Sequence, residues 1–312
     1  MIERKVLFID SAHPSLTLLL QELGFTCDYF PEYKRDDYLK IASQYMGVVI
    51  RSKIKIDAEF LSSATRLRFI ARVGAGMENI DIQAADKHQV VCLNAPEGNR
   101  DAVAEQAVGM ILTLFNRLLI ADAEVRKGIW LREQNRGVEL GGKTVGIIGF
   151  GNTGSSFARK LQGFEVRILA YDKYKTGFGN SFVKEATMDE IYQQADILSF
   201  HVPLTEETNY LFDKKMITKF AKPFYLINTS RGKVVKTSDL IHALDQQRVI
   251  GACLDVLEYE GLSFEAIQQS PDFSRLTSMS NVVLTPHIAG WTHQSNVKMA
   301  NVLVEKIKAL KM

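Results

Sequence analysis

The chain of 312 residues has few cysteines and no two of them at a metal-binding or redox spacing. Cys27, Cys92 and Cys253 lie far apart, and no Cys-x-x-Cys motif occurs. Zinc cages and redox dithiols need such clusters, so the sequence argues against both kinds of site. We expect no metal, free thiols and a reducing, cytoplasmic location.

The chain also lacks a strong charge of either sign and a long apolar run. Its 38 Lys and Arg against 36 Asp and Glu leave a formal net charge of +2, too balanced for a protein that coats nucleic acid or an anionic membrane. The longest apolar run, residues 108–115, is far below the roughly 20 residues that cross a bilayer. The N-terminus predicts a strand and lacks the apolar core of a signal sequence. We therefore expect no nucleic-acid or membrane partner.

Length and apolar content predict two domains, since 46% of the residues are hydrophobic and a domain takes about 150 residues. Short runs of β-branched and aromatic residues alternate with segments of helical period, which is typical of an α/β fold with parallel sheets. A first series of strands is predicted at residues 6–9, 26–29, 48–50, 69–71 and 90–92. A second series of six is predicted at residues 144–148, 166–170, 197–200, 224–227, 250–254 and 282–284.

Two long helices are predicted beside the second series of strands. Residues 102–120 are apolar on nearly all sides, which predicts a single helix buried on several faces, with Asn99 or Asp101 as its cap. That burial is either inside one subunit or between domains or subunits. Residues 292–310 have helical spacing after the last strand.

A glycine-rich loop follows the first strand of the second series. It comprises Gly149, Phe150, Gly151, Asn152, Thr153 and Gly154, and a segment of helical character comes next. This strand, loop and helix context is what a GxGxxG motif needs to bind a dinucleotide: a tight turn, backbone close to the pyrophosphate and close helix packing. Asp172 ends the next strand, where a carboxylate accepts the ribose hydroxyls of NAD and repels a 2′-phosphate.

Other interpretations of this loop stay open. Glycine turns occur in other α/β proteins, and S-adenosylmethionine sites also combine a glycine loop with an acid. Lys173 and Lys175 follow Asp172 and are compatible with NADP. With strand, loop, helix and acid all in place, we favour NAD as the cofactor.

Polar residues follow the predicted strands, at the edge where open parallel sheets bind ligands. Three of them suit hydride transfer between a nicotinamide and a 2-oxo or 2-hydroxy acid. Arg231 can bind a carboxylate through two hydrogen bonds, and a carboxylate such as Glu260 beside His287 favours the imidazolium, a proton donor at neutral pH. Taken singly, Arg231, Glu260 or His287 would be interpreted more simply as a surface or cap residue. Their joint occurrence after a nucleotide loop favours catalysis.

These segments resemble the NAD-dependent D-2-hydroxyacid dehydrogenase family over nearly the whole chain. The matching motifs, besides the glycine loop with Asp172, are RVGAGMENID (72–81), NAPEGNRDAVAE (94–105), HVPLTEET (201–208), INTSRG (227–232), LDVLEYE (254–260) and TPHIAG (285–290). The resemblance implies a Rossmann-type NAD domain, residues 101–286, inserted in a flavodoxin-like substrate domain, residues 1–100 and 287–312. It also implies a homodimer with residues 99–120 and 126–142 in the interface.

The same resemblance implies roles for individual residues. Arg231 orients the substrate, His287 is the general acid and base, and Glu260 is its partner. The substrate carboxylate is held by the side chain of Asn99 and by the backbone around Val73, Gly74, Ala75 and Gly76. Besides the glycine loop and Asp172, the residues expected to bind NAD are His201, Val202, Pro203, Thr208, Thr229, Asp255 and Gly290.

Within the family, the chain is most similar to the short D-3-phosphoglycerate dehydrogenase branch. Arg51 and Lys53 stand where that branch places basic residues for the substrate phosphate, which implies oxidation of 3-phosphoglycerate to 3-phosphohydroxypyruvate in serine biosynthesis. If the two are only a solvated strand edge, hydroxypyruvate or glyoxylate reduction is the nearest alternative. An NAD-sensing, corepressor-like binding protein is the alternative of another class. The length implies no C-terminal regulatory domain.

Two features depart from the family pattern. Gly261 follows Glu260 where the family usually has Pro, and a polar stretch, residues 262–280, precedes the last strand. Glu258 is a second carboxylate close to Glu260, so it competes with Glu260 as the expected partner of His287.

Overall fold

The computed structural model describes residues 4–261 and 267–311, in which strands and helices alternate. The strands are β1 (Lys5–Phe8), β2 (Thr26–Tyr29), β3 (Gly47–Ile50), β4 (Phe69–Arg72), β5 (Val91–Asn94), β6 (Thr144–Ile148), β7 (Arg167–Tyr171), β8 (Val183–Glu185), β9 (Ile197–Phe200), β10 (Phe224–Asn228), β11 (Val249–Leu254) and β12 (Val282–Leu284). The α-helices are α1 (Pro14–Glu22), α2 (Arg35–Ile41), α3 (Ala58–Ser63), α4 (Ile82–Lys87), α5 (Pro96–Phe115), α6 (Leu118–Arg126), α7 (Asn152–Lys160), α8 (Met188–Gln194), α9 (Lys214–Lys219), α10 (Thr237–Asp245), α11 (Pro271–Ser278) and α12 (His293–Ala309).

Both sheets are parallel and doubly wound, as the sequence predicts. The first has the strand order β2-β1-β3-β4-β5, which is the flavodoxin-like order 2-1-3-4-5. The second has the order β12-β11-β10-β9-β6-β7-β8, which, counted from β6, is the dinucleotide-binding order 3-2-1-4-5-6 with one further strand. The predicted α/β class with one sheet of each kind is confirmed.

The chain divides into two compact units. The first unit holds the described chain up to Arg100, Gly261 and the chain from Gly290 onward. The second unit holds Asp101–Glu260 and Ile267–Ala289. The first boundary falls inside α5, and the second unit is an insertion in the first.

The end of this insertion lies three residues later than the predicted boundary after Pro286. The N–H groups of Ile288 and Ala289 donate to the carboxylate of Asp255 at 2.9 and 2.8 Å. Asp255 follows β11, so these hydrogen bonds keep the chain on the second unit as far as Ala289.

Each sheet buries apolar side chains on both faces, because successive residues of a strand point to opposite sides. In β1, Val6 and Phe8 belong to one core cluster and Leu7 to another. In β6, Ile147 and Ile148 divide in the same way. Coverage on both faces explains why the strands are continuous apolar runs in the sequence.

The predicted helix at residues 102–120 is wrong in its bounds and its continuity. α5 begins at Pro96 and ends at Phe115, and α6 starts afresh at Leu118. Arg117 has a left-handed backbone with φ of +51°, which an α-helix does not tolerate. The N-cap predictions for Asn99 and Asp101 also fail, since both residues lie inside α5.

The second sheet has seven strands, one more than predicted. The additional strand, β8, is three residues long and lies at the edge of the sheet. Its sequence, Val-Lys-Glu, contains no apolar run, so hydrophobic periodicity gave no signal.

The polar stretch at residues 262–280 contains a helix. Residues 262–266 lie outside the described residues, whereas α11 occupies Pro271–Ser278. Ser270 caps α11 by accepting a hydrogen bond from Phe273 N at 3.1 Å.

The part of the chain that the structure describes contains no single helix that meets the length and hydropathy requirements for crossing a membrane. Taken together, α5 and α6 meet them on length and composition alone, with a bend of 60° between them. Ala104, Ala107 and Ile111 of α5 are buried in a core cluster of the second unit, whereas α6 has no buried residue.

Candidate active site

The glycine loop joins β6 to α7, and its three glycines differ in their surroundings. Gly149 has a φ of +92°, and a Cβ there would overlap the carbonyl oxygen of His201. A Cβ on Gly154 would overlap the carbonyl oxygen of Gly149. At Gly151, by contrast, a Cβ would meet nothing within 4 Å. The first and third glycines are needed by the fold, and the second faces open space.

This open space lies at the N-terminus of α7, whose first turn contains Asn152 and Thr153. The N-cap residue, Gly151, makes no side-chain cap, so the N–H groups of the first turn can bind an anion. Asp172 is tied to the loop, because its carboxylate accepts hydrogen bonds from Phe150 N at 2.8 Å and Tyr174 N at 2.9 Å. An open anion site beside a fixed acid fits NAD.

Lys173 and Lys175, the two lysines compatible with NADP, both contact acidic residues. Lys173 Nζ lies 2.6 Å from the carboxylate of Glu207, and this hydrogen bond holds the pKa of Glu207 below its usual range. Lys175 donates to Asp172 through its backbone N–H at 3.1 Å. The charge of Lys173 is therefore already balanced, which weakens the case for binding a 2′-phosphate.

His201 is a buried, neutral histidine beside the glycine loop. Its ring stacks at a tilt on Phe157, with centroids 5.2 Å apart, and Nε2 lies 2.8 Å from Ser199 Oγ. Burial lowers the pKa of His201 to about 3, so the ring is uncharged at neutral pH. Its Nδ1 has no hydrogen-bond partner among the described residues.

Thr208 and Thr229, both predicted to bind NAD, lie in the segments that follow β9 and β10. The segment after β9 also contains Val202 and Pro203, and Thr208 Oγ1 donates to Pro203 O at 2.6 Å, so this hydroxyl stabilises its own loop. Thr229 Oγ1 is buried, and the described chain offers it no hydrogen-bond partner. An orphaned buried hydroxyl is available to a ligand, which fits the predicted role of Thr229.

His287 and Glu260 lie side by side in the second unit. His287 Nδ1 is 2.7 Å from Glu260 Oε2, and the two side chains are 22% and 16% exposed. The other oxygen of Glu260 accepts a hydrogen bond from Leu257 N at 2.5 Å. One oxygen thus fixes the carboxylate and the other orients the imidazole. Because Nδ1 is engaged, proton exchange with a ligand falls to Nε2.

Glu258, the competing carboxylate, points elsewhere. It accepts hydrogen bonds from Tyr210 Oη at 2.7 Å and from Thr237 N, at the start of α10, at 2.9 Å. The structure therefore pairs His287 with Glu260 and gives Glu258 a role in holding α10.

The backbone of His287 is strained, with a φ of +55°, a conformation that costs a residue with a Cβ about 1–3 kcal/mol. Asp255 offsets this cost. In addition to Ile288 N and Ala289 N, its carboxylate accepts a hydrogen bond from Thr285 Oγ1 at 2.5 Å, and its carbonyl accepts one from His287 N at 2.7 Å. Asp255, predicted to approach the cofactor, holds the turn that carries His287.

Arg231 lies in a turn that packs against the turn of Glu260. A Cβ on Gly232 would overlap the carbonyl oxygen of Leu257, so the two turns touch. The Arg231 turn is itself held by the buried Asn228, whose side chain donates to Arg231 O at 2.9 Å. Sequence reasoning missed Asn228 and Thr285, although both stand at strand ends inside quoted motifs.

In the first unit, the loop after β4 is fixed by β5. Asn94 Nδ2 donates to Ala75 O at 2.6 Å, and Ala95 N donates to Gly74 O at 2.8 Å. Val73 is buried. The structure thus gives the predicted carboxylate-binding backbone, Val73 to Gly76, a defined shape.

Asn99 and Gly290 lie against each other in the first unit. A Cβ on Gly290 would be 2.8 Å from Asn99 Nδ2. Asn99 Oδ1 is buried with no hydrogen-bond partner in the described part of the chain. The amide of Asn99 therefore has bonding capacity for a ligand, and a side chain at residue 290 would displace it.

Arg51 and Lys53, predicted to bind the same phosphate, have different surroundings. Lys53 Nζ donates to Pro31 O at 2.6 Å and to Tyr38 Oη at 3.0 Å. The guanidinium carbon of Arg51 lies 3.7 Å from the ring centroid of Trp291. Trp291 was not predicted as a site residue, although an aromatic directly after TPHIAG was a signal.

We expect Gly151→Ala to separate cofactor binding from folding. Its Cβ meets no protein atom, so the thermal unfolding temperature should stay within about 2 °C of wild type. The methyl group should weaken NADH binding about tenfold or more, because it stands where the backbone approaches the pyrophosphate. NADH fluorescence titration and a thermal melt check this. Gly154→Ala is the control that should lose stability, and unchanged NADH affinity in Gly151→Ala would contradict the assignment.

Comparison with known proteins matches the second unit to one family. The family model described as D-isomer specific 2-hydroxyacid dehydrogenase, NAD binding domain, matches residues 108–289. In structure, the chain is similar to a D-lactate dehydrogenase from Aquifex aeolicus complexed with NAD and lactic acid, with a TM-score of 0.83, 27% identity and coverage of 99% of this chain and 95% of that one.

Two curated relatives cover nearly the whole chain. A D-3-phosphoglycerate dehydrogenase from Archaeoglobus fulgidus is 33% identical over 97% of this chain, which spans only 56% of that protein's length. A hydroxypyruvate reductase from Thermotoga maritima is 32% identical over 96% of this chain and 94% of its own length. Since the family model covers more than half of the residues and these relatives share about a third of them, the chain belongs to the D-isomer specific 2-hydroxyacid dehydrogenase family, and its second unit is an NAD-binding domain.

Proposed function

We propose that this protein is an NAD-dependent oxidoreductase of D-2-hydroxy acids. The observation that carries the proposal is the 2.7 Å contact between His287 Nδ1 and Glu260 Oε2 in the NAD-binding unit. A histidine oriented by a carboxylate is the proton donor and acceptor that interconversion of a carbonyl and a hydroxyl requires. Arg231, on the turn that packs against Leu257, supplies a cation for the substrate.

The chain's residues divide the work of the reaction. When bound at the glycine loop, NAD would supply the hydride acceptor, and NADH the hydride donor, for C2 of the substrate. In the reductive direction His287 gives its Nε2 proton to the carbonyl oxygen, and in the oxidative direction it takes the hydroxyl proton. Glu260 stabilises the imidazolium that holds this proton. Arg231 pairs with the substrate carboxylate and turns the carbonyl toward His287.

We propose 3-phosphoglycerate as the substrate, oxidised to 3-phosphohydroxypyruvate in serine biosynthesis. The support is Arg51, a cation suited to a phosphate, and the similarity to D-3-phosphoglycerate dehydrogenases. Hydroxypyruvate reduction is the second candidate. The observation that favours it is the similarity to the Thermotoga maritima hydroxypyruvate reductase, which is 32% identical over 96% of this chain.

We also propose a homodimer formed through α6 and the segment after it. Exposed apolar side chains cluster in this region, among them Leu118 at 52%, Leu119 at 61%, Val125 at 51%, Ile129 at 42% and Trp130 at 76%. Such a cluster on one helix and the chain that follows is typical of a surface covered by a partner. A second copy of the chain is the partner that the family resemblance implies.

Glu260→Gln is expected to lower kcat about a hundredfold, because glutamine keeps the shape of the partner but does not stabilise the imidazolium. His287→Ala should cost at least as much, and both variants should bind NADH as wild type does. Glu258→Gln is the matched control, with kcat within about threefold of wild type. Steady-state kinetics with NADH and a 2-oxo acid give the comparison. A larger loss in Glu258→Gln than in Glu260→Gln would refute the assignment of the partner acid.

A substrate panel tests the proposed substrate. With NADH, wild type should reduce 3-phosphohydroxypyruvate with a kcat/KM at least about tenfold above those for hydroxypyruvate and glyoxylate. Arg51→Ala should raise the KM for the phosphorylated acid about 10–100-fold, the range for a lost charge-assisted hydrogen bond, and leave the others unchanged. Equal or better kinetics with hydroxypyruvate would favour the second candidate, and no turnover of any 2-oxo acid would refute the dehydrogenase.

The dimer predicts a specific dissociating variant. Leu119→Asp should convert the dimer to a monomer, because it puts a charge in the apolar contact. Leu18→Asp on α1 is the matched control, since Leu18 is 59% exposed and lies in the first unit. Light scattering after size-exclusion chromatography measures the mass. A wild-type monomer, or a Leu119→Asp protein that stays dimeric, would argue against this interface.

A further inference from the structure

Arg51 and Trp291 form a cation–aromatic contact in the first unit. The guanidinium carbon lies over the indole at 3.7 Å from its centroid, well inside the range of about 6 Å for such contacts. Trp291 is 48% exposed. A large exposed aromatic in contact with a cation predicted to bind substrate calls for a functional explanation.

The backbone on both sides of Trp291 is fixed by the start of α12. Gly290 O accepts a hydrogen bond from Ser295 Oγ at 2.7 Å. Thr292 caps the helix, with its Oγ1 accepting from Ser295 N at 3.0 Å. Ser295 is buried, so these contacts are protected from water. The backbone that carries the indole is therefore fixed at the start of α12.

The loop that carries Arg51 is also fixed, by Asp10. Asp10 Oδ2 accepts hydrogen bonds from the backbone N–H groups of Arg51, Ser52 and Lys53 at 2.6, 3.1 and 3.2 Å. These N–H groups bind the carboxylate of Asp10, so they do not form a nest for a phosphate. The ammonium of Lys53 contacts Pro31 O and Tyr38 Oη. Anion binding in this loop therefore falls to the guanidinium of Arg51.

We propose that Trp291 is a positioning residue for a second anionic group of the substrate and acts through Arg51. The aromatic face holds the guanidinium in one orientation, while the N–H donors at its edge serve a phosphate. The ligand class is a 2-oxo or 2-hydroxy acid with a phosphate on C3. This inference rests on the proposed function, and it adds a residue that sets the preference for a phosphorylated acid.

Preorganisation sets the size of the expected effect. A guanidinium held on an indole loses less conformational freedom when it binds an anion than a free arginine does. A cation–aromatic contact of this kind corresponds to an affinity change of about 3–30-fold. The effect should appear in the KM for the phosphorylated acid, because Arg51 is proposed to bind the phosphate on C3, whereas proton transfer at C2 is assigned to His287 and Glu260.

The test compares Trp291→Ala, Trp291→Phe and Tyr29→Ala. With NADH, Trp291→Ala should raise the KM for 3-phosphohydroxypyruvate about 3–30-fold, with kcat and the kinetics of hydroxypyruvate unchanged. Trp291→Phe keeps an aromatic face and should recover most of the loss. Tyr29→Ala is the matched control, because Tyr29 is an aromatic of the same unit with 47% exposure. In an Arg51→Ala background, Trp291→Ala should add nothing.

The outcomes separate this inference from the proposed function. If wild type does not prefer the phosphorylated acid, the proposed substrate is wrong and the inference falls with it. If wild type and Arg51→Ala behave as expected but Trp291→Ala matches wild type, only the inference is overturned. An equal loss with both acids, or a lower kcat, would make Trp291 a structural residue and also overturn it.

Discussion

The candidate active site depends on one buried carboxylate. Asp255 is 1% exposed and binds the turn from Thr285 to Ala289 through both of its oxygens. That turn holds His287 with a left-handed backbone. A buried carboxylate is stable only when its oxygens are hydrogen-bonded, and a strained residue persists only when its surroundings compensate it. The turn supplies the hydrogen bonds that the buried carboxylate needs, and the carboxylate supplies the contacts that hold the strained His287. The fold of the second unit thereby positions the imidazole that the proposed reaction needs.

Three acidic residues of the second unit have different roles because their hydrogen-bond partners differ. Glu260 orients His287, Glu258 holds α10, and Asp172 is tied to the glycine loop. All three are carboxylates, and Glu258 and Glu260 are the same residue type two positions apart. Their roles separate only through the donors that tertiary packing brings to each carboxylate.

Strands were easier to predict than helix ends. Buried parallel strands are continuous apolar runs, so the five strands of the first sheet and six of the second were recognised, whereas β8, with one buried residue, was not. The prediction of a single helix is wrong at Arg117, whose backbone conformation is left-handed. No side-chain pattern marks that break, and the apolar residues on both sides of it suggested continuity.

By itself, the sequence determined the α/β class, the two parallel sheets and the kinds of residue at the strand ends. These follow from local periodicity and from motifs short enough to be recognised in one segment. Only the tertiary structure decided that Glu260 contacts His287, that Asp255 holds the turn, and that Trp291 lies under Arg51. Arg51 and Trp291 are distant along the chain, and a contact between distant residues exists only once the sheet and α12 have packed.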